Sequence, residues 1–267
     1  MSRVWLRSSL IAAGVVGAAA GGIESVGRAL AEKAAPAVIP ITAVLRIESP
    51  QAPAGGQERP IEIYGTLVSE DGMILVSATS LSPLNNIGDV LAGSGMTTRV
   101  SRIRARLANG LEVALRQLIT DEEMDLTCLV PEAGAEVSAP VVWPAPVTFE
   151  RGVRAELCDS VLTVGRSGEI FRWAPVVGIQ QIICRVDEPR TYYVTAGPYS
   201  GGVGTPIFRA DGQALGMTVI RREPAAIHPG RSMPFNQVLV VLPSDAVAEF
   251  IEQARKALQA KTEAENH

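Results

Sequence analysis

Charged side chains, histidine and lysine are scarce in this chain of 267 residues. Charged residues make up 19% of it and the formal net charge is −4, which argues against a nucleic-acid binder, because such proteins carry a basic excess. Histidine and cysteine are few and show no metal-ligand spacing, so we expect no metal and no cofactor. The lysines are Lys33, Lys256 and Lys261, so the middle of the chain offers no lysine as a catalytic base. Hydrophobic residues, at 47%, are abundant enough to exclude disorder of the whole chain.

The three cysteines allow one disulfide with one thiol left over if the protein is exported. Cys128 lies in the apolar run from 126 to 130, which predicts a small buried hydrophobe. If a bridge forms, we expect Cys158–Cys184.

The N-terminus has the pattern of an export signal. Arg3 and Arg7 give a positive start, residues 8–20 are apolar and mostly small, and residues 29–31 have the A-x-A form of a cleavage site. We expect residues 1–31 to be a signal peptide cleaved after Ala31, leaving a secreted or periplasmic chain with no membrane span. An uncleaved anchor and a buried helix are the alternatives, although the apolar stretch is short for a membrane-spanning helix.

Past this segment, the sequence is dominated by short strands with tight turns between them. Asp71-Gly72, Asn109-Gly110 and Asp211-Gly212 each separate two β-rich segments, as in β-hairpins. Arginines at 102, 104 and 106 alternate with apolar residues, which places them on one face of a strand. A solvated sheet face explains this stripe, with an anion-binding face as the alternative. Because helical periodicity is almost absent, the strands predict an all-β barrel or sandwich.

Three further segments suggest how the chain is divided. The proline-rich residues 131–150 are typical of a linker between two barrels, and residues 82–98 form a connection long enough to be functional or mobile. Pro243-Ser244-Asp245 offers a helix cap and an acidic first turn, and the apolar residues after it recur at helical spacing: Val247, Phe250, Ile251, Ala254 and Leu258. We expect a first barrel over 32–140, a second barrel with this helix over 141–260, and a disordered tail over 261–267.

Five segments between residues 38 and 258 stand in an informative order. They are 65–75 (GTLVSEDGMIL), 104–130, 159–165 (DSVLTVG), 204–217 (GTPIFRADGQALGM) and 240–250 (VVLPSDAVAEF). In this order they resemble the protease domain of the Deg-type (HtrA-like) serine proteases, a branch of the trypsin-like superfamily with the chymotrypsin fold. The resemblance implies two six-stranded β-barrels and a C-terminal α-helix. Too few residues follow the helix for the PDZ domain that is usual in this family, so we expect none.

On this resemblance the catalytic triad is incomplete. Asp125 falls on the family's aspartate, with a purely structural aspartate as the alternative. The histidine position falls on Thr79 or Ser80, and neither hydroxyl can act as a general base near neutral pH. The two histidines of the chain, His228 and His267, match no catalytic position, and we expect His228 to be exposed in a loop.

The position of the nucleophilic serine is also altered. A gapless match to the family's serine motif places Val203 there, whereas an alignment with three extra residues before Thr205 places Ser200 there. The surrounding Gly201, Gly202 and Gly204 would allow an oxyanion-hole-like cluster of N–H groups to survive as a binding feature. A glycine-rich hairpin turn without such a role is the alternative.

These expectations favour an exported pseudoprotease that binds a peptide or protein partner in the cell envelope without cleaving it. Loss of an essential triad member lowers turnover by several orders of magnitude. Two alternatives stay open: an active serine endopeptidase of the Deg type that uses Ser200, and a structural subunit of an envelope assembly. The oligomeric state is left open too.

Overall fold

Two closed six-stranded antiparallel β-barrels, joined by a linker, make up most of the protein. The computed structural model describes residues 22–48, 56–82, 97–134, 139–188, 190–197, 201–222 and 237–265. The first barrel consists of β1 (Val38–Glu48), β2 (Gln57–Leu67), β3 (Ile74–Ser77), β4 (Thr97–Arg106), β5 (Glu112–Asp121) and β6 (Leu126–Pro131). The second consists of β7 (Ser160–Arg166), β8 (Pro175–Val186), β9 (Tyr192–Ala196), β10 (Pro206–Arg209), β11 (Ala214–Arg222) and β12 (Gln237–Pro243).

The three predicted hairpins are confirmed, and each turns at its glycine. The chain reverses between β2 and β3, between β4 and β5, and between β10 and β11. Gly72, Gly110 and Gly212 have φ angles of +91°, +80° and +87°, which side chains disfavour. Local turn chemistry therefore explains these three strand pairings.

The arginine stripe lies on the outer face of β4. Ile103 and Ala105 are buried, while Arg102 and Arg104 are exposed and form ion pairs with Glu58 and Glu112. Both pairs lie at the surface, where an ion pair contributes about 0–1 kcal/mol. For these two residues the structure agrees with a solvated face, whereas Arg106 lies over the ring of Trp173.

Strand β7 and the start of β9 in the second barrel bury both of their faces. Val161 and Tyr193 belong to one apolar cluster, while their neighbours Leu162 and Tyr192 belong to the larger cluster that continues into the first barrel. Successive side chains of a strand point to opposite faces, so these strands contribute alternate residues to two cores. This explains why they read as nearly continuous apolar runs.

Part of the segment between the barrels packs into the protein core. It runs from the end of β6 to the start of β7 at Ser160, so it is longer than the linker over 131–150 that the sequence predicts. Residues 135–138 lie outside the described part. Val147 donates a backbone hydrogen bond of 2.9 Å to Leu67, and Val147 and Phe149 are buried. The linker thus contributes to the core.

The N-terminal helix α1 (Ile23–Lys33) packs against the second barrel. Leu30 is buried in the core, and Gly27 lies close to Leu162 and Val177. The expected cleavage point after Ala31 falls inside α1, and the rest of the expected signal, residues 1–21, lies outside the described residues. In the described part of the chain, no helix combines the length and apolar character needed to cross a membrane.

The C-terminal helix α3 (Ser244–Glu265) confirms the predicted apolar stripe, with Val247, Phe250 and Ala254 buried. The cap is different from the prediction, because the Ser244 hydroxyl is buried and makes no hydrogen bond within the described residues. Asp245 instead accepts from Gly152 N at 2.6 Å and pairs with Arg154 of the linker. Burial opposes ionisation of Asp245, but these partners together hold the pKa of its carboxyl below the usual value. Helix also occupies 261–265, where we expected a disordered tail.

The cysteines fall into two environments. Cys128 is fully buried, as predicted, and burial, with a smaller contribution from Asp71, raises the pKa of its thiol to about 12. Cys158 and Cys184 are exposed, and both are free thiols, so the expected bridge is not formed in this structure.

The predicted all-β architecture is thus confirmed. Two six-stranded antiparallel barrels with a C-terminal helix are consistent with a chymotrypsin-like fold.

Candidate functional site

Asp125 links the two barrels through its buried carboxylate, and the residue is only 4% exposed. Oδ2 accepts hydrogen bonds from Ser77 Oγ at 2.6 Å and from Ile220 N at 2.8 Å, and Oδ1 accepts from Thr79 N at 2.7 Å. Ser77 and Thr79 belong to the first barrel and Ile220 to the second. One side chain therefore fixes the relative position of both.

The backbone of Asp125 is held as firmly as its side chain. Its φ is +56°, a left-handed conformation that aspartate and asparagine tolerate better than most residues. Its carbonyl accepts from Ala78 N at 3.0 Å, and the turn before β6 is closed by a bond of 2.8 Å from Met124 N to Asp121 Oδ1. This turn directs the carboxylate towards Ser77 and Thr79, at the start of a short helix that comes earlier in the chain.

The short helix α2 (Ala78–Leu81) carries both residues predicted for the histidine position. Thr79 is buried and its main chain contacts Asp125, whereas Ser80 is half-buried and its N–H binds Ser77 Oγ at 3.1 Å. Ser77 caps α2 while donating to Asp125. Of the two candidates, Thr79 is the one that the structure brings to the aspartate.

The glycine turn, residues 201–204, fits closely against the first barrel. A Cβ atom on Gly202 would lie 2.4 Å from the ring of Tyr64, and one on Gly204, at φ +88°, would lie 2.6 Å from the carbonyl oxygen of Tyr64. Both distances are shorter than a carbon atom allows. Thr66 Oγ1 donates to Gly204 O at 2.8 Å and adds a second link between the barrels. Close approach between the barrels therefore requires these two glycines.

The second barrel holds the glycine turn through Thr205 and Thr218. Gly202 O accepts from Thr205 Oγ1 at 2.6 Å and from Thr218 Oγ1 at 3.1 Å, and Gly204 N donates to Thr218 O at 2.8 Å. The N–H groups of Gly202 and Val203 find no acceptor among the described residues. N–H groups without a partner in this part of the chain are the kind of donor that binds a carbonyl or an anion. The oxyanion-hole-like cluster stays a prediction.

Three of the sequence candidates are not placed. Ser200, His228 and His267 lie outside the described residues. Val203 is half-buried in the glycine turn. It is not among the residues that line a cavity of about 610 Å³ next to Asp125.

Among the described residues, the edge of β11 beside Asp125 has no strand partner beyond Met217, although the Ile220 N–H is bound to Asp125. Thr218 donates to Thr205 O at 2.9 Å on the side that faces the glycine turn. Alternate residues direct their backbone groups to the same side, so Ile220 and Arg222 face this side too. Within the described residues no strand pairs with them there, because β10 reaches β11 only as far as Met217. An extended peptide could pair with this edge.

A cavity of about 610 Å³ lies beside this edge and Asp125. Its walls include Thr79, Ile220, the exposed carboxylates of Glu122 and Glu123, and Tyr192. Arg221 lies 4.5 Å from the centre of the Tyr192 ring. Burial raises the pKa of Tyr192 above its usual value, although Arg221 opposes the shift.

Sequence reasoning missed Ser77, Tyr64 and Ile220. Ser77 carried one local signal, since a serine before a short helix is a common cap. Its bond to Asp125 spans 48 positions along the chain, and that of Ile220 spans 95, so no local pattern indicates either contact.

The described site contains an oriented carboxylate, free N–H donors and an open strand edge, but no imidazole or lysine. In that part of the chain there is also no group of three or more potential metal-ligating side chains. The arrangement can bind and orient an extended polar chain. The chain matches no known family model, and it matches no curated protein.

Proposed function

We propose that the protein is an exported pseudoprotease of the Deg type, which binds a peptide or protein segment in the cell envelope without cleaving it. The carboxylate of Asp125 carries this proposal. In an active triad this group orients a histidine, whereas here it binds a serine hydroxyl and two main-chain N–H groups.

Hydrolysis is disfavoured because no general base is available. Both residues that match the histidine position carry hydroxyls, and the chain has only two histidines, neither at a matching position. A serine at 200 without a base would stay a protonated alcohol. The several orders of magnitude lost with a triad member leave only slow residual turnover.

Binding would use the open edge of β11. A ligand strand would pair with the carbonyl group of Ile220 and with the backbone of Arg222, because the Ile220 N–H is already bound to Asp125. Its side chains would enter the cavity beside Asp125. The two exposed glutamates of that cavity favour a ligand segment with basic side chains. Export rests on the residue pattern of 1–31, although cleavage after Ala31 would cut inside α1, which packs on the second barrel. N-terminal sequencing of chain recovered from the envelope fraction or the medium tests export and shows whether α1 is kept.

Two assays on the purified chain test the function. The first measures cleavage of casein and of a mixed peptide library by wild type and by Ser200→Ala. We expect no turnover in either. Turnover in wild type that is lost in Ser200→Ala would overturn the pseudoprotease proposal and support an endopeptidase.

The second assay measures peptide binding to Arg222→Pro and to Arg222→Ala. Proline removes the N–H that faces the open edge but no bond to β12, whereas alanine keeps that N–H. We expect the proline variant to bind library peptides about tenfold more weakly than the alanine variant, a loss of about 1.4 kcal/mol. Circular dichroism confirms that both are folded. If wild type neither cleaves nor retains any peptide, the structural-subunit alternative is favoured instead.

A further inference from the structure

A second cavity, of about 730 Å³, lies where the linker crosses between the barrels. We call it the linker cavity. It shares no lining residue with the cavity beside Asp125. Trp143 of the linker and Trp173 of the β7–β8 loop form aromatic walls, and Val38, Ile39 and Leu107 add aliphatic ones.

Arginines supply the charge of the linker cavity. Its lining includes Arg106, Arg166 and Arg172 and no acidic residue. None of the three has a carboxylate partner in the described part of the chain, whereas seven other arginines form ion pairs: Arg46, Arg102, Arg104, Arg151, Arg154, Arg185 and Arg209. Three guanidinium groups that form no direct ion pair among the described residues therefore line a largely apolar space.

Arg166 is fixed in place by neutral acceptors. Its Nε donates to the carbonyls of Ala35 and Val38 at 3.0 and 3.1 Å, and Nη1 donates to that of Trp173 at 3.0 Å. Burial lowers the pKa of this guanidinium. Carbonyl oxygens satisfy the N–H groups but leave the charge unneutralised, and a bound anion would neutralise it.

The side chain of Trp173 is held in place by a hydrogen bond and a cation–π contact. Its Nε1 donates to Glu62 Oε1 at 3.2 Å, and the guanidinium of Arg106 lies 4.3 Å from the ring centre. Arg172 and Trp173 both have left-handed φ angles, +55° and +51°. Such strain costs about 1 kcal/mol or more per residue, and it clusters at ligand sites.

We propose that the linker cavity binds a small carboxylate with a flat apolar body. The carboxylate lies among the three guanidinium groups, and the apolar body lies against Trp143 and Trp173. The cavity volume falls within the range of about 300–1,000 Å³ typical of small-molecule sites. This site is independent of the peptide-binding proposal, because it lies on other residues.

Titration with 2-naphthoate, followed by calorimetry and by tryptophan fluorescence, tests the proposal. Two of the three tryptophans of the chain line the cavity, so occupancy changes the emission. We expect a dissociation constant below about 1 mM, corresponding to roughly 4 kcal/mol. The uncharged 2-naphthamide should bind at least about tenfold more weakly, because it lacks the charge.

Arg106→Gln and Arg172→Gln locate the site. Each should weaken 2-naphthoate about tenfold, the effect of one lost charge-assisted contact. Arg104→Gln is the matched control, since Arg104 lies on the same strand as Arg106 but pairs with Glu112 outside the cavity. Equal binding of acid and amide, an equal loss in Arg104→Gln, or no binding to folded wild type would each overturn the proposal.

Discussion

At the scale of single residues, the carboxylate of Asp125 braces the two barrels against each other. A carboxylate offers about four lone-pair sites, and three of them are occupied by Ser77, Thr79 and Ile220. All three donors belong to the fold itself, so the aspartate has a reason to be present without any catalytic partner. The sequence left open whether Asp125 is the family's triad aspartate or a purely structural residue, and these hydrogen bonds are compatible with either interpretation.

Asp125→Asn should lower the free energy of unfolding by about 1–3 kcal/mol. The amide keeps one acceptor oxygen, so at least one buried donor loses its partner. Asparagine tolerates the left-handed backbone, which confines the effect to hydrogen bonding. Urea denaturation followed by fluorescence measures the change.

Glu123→Gln is the matched control for Asp125→Asn, because it removes the same charge from an exposed neighbour in the same turn. We expect it to change the free energy of unfolding by less than about 0.5 kcal/mol. Equal stability of the two variants would contradict the bracing role of Asp125.

At the scale of secondary-structure elements, the parts that were predictable are those with local causes. Each hairpin follows from an Asp-Gly or Asn-Gly pair, and the stripe on α3 follows from the spacing of Val247, Phe250 and Ala254. Helix α1 was expected to belong to an export signal, with a buried helix as one alternative, because residues 29–31 have the form of a cleavage site. Only its packing on the second barrel distinguishes the two.

A chain that begins at Gly22 should be more stable than one that begins at Glu32. The shorter chain lacks Leu30 and Gly27 and uncovers Leu162 and Val177. Burying one leucine side chain stabilises by about 1.5–3 kcal/mol, so we expect a loss of about 2 kcal/mol or more in urea denaturation.

Two variants of the longer chain accompany this comparison. Leu30→Ala should reproduce part of the loss, and Arg28→Gln, at an exposed position of α1, should not. Equal stability of the two chains would mean that α1 is dispensable for the fold, as expected of a signal that is removed.

At the scale of the whole molecule, the arrangement of the two barrels positions the site. Asp125 reaches Ile220, Thr66 reaches Gly204, and Tyr64 leaves room only for glycine at 202 and 204. The sequence predicted two barrels through the order of its motifs, and it predicted a tight glycine turn. It could not predict what the turn touches, because those contacts join residues 138 positions apart in the chain.

The same arrangement makes a gain of function testable. In Thr79→His combined with Val203→Ser, the new imidazole would start from a main chain already bonded to Asp125. Donors from the described residues occupy three of the roughly four lone-pair sites of that carboxylate, which leaves one for the imidazole N–H within this part of the chain. Triad members act as a unit, so neither single variant should gain activity. We expect the double variant to react with a fluorophosphonate at least about 100-fold faster than either single one, the lower range of general-base catalysis.

Ser80→His combined with Val203→Ser is the register control for this gain of function. It carries the same residue types, but the main chain at position 80 binds Ser77 rather than Asp125. A faster reaction in this control would shift the histidine position to Ser80. No reaction in either double variant, with both shown to be folded, would mean that the glycine turn does not present position 203 as a nucleophile. The gapless match to the serine motif would then be wrong, and the search for the altered nucleophile would move to Ser200.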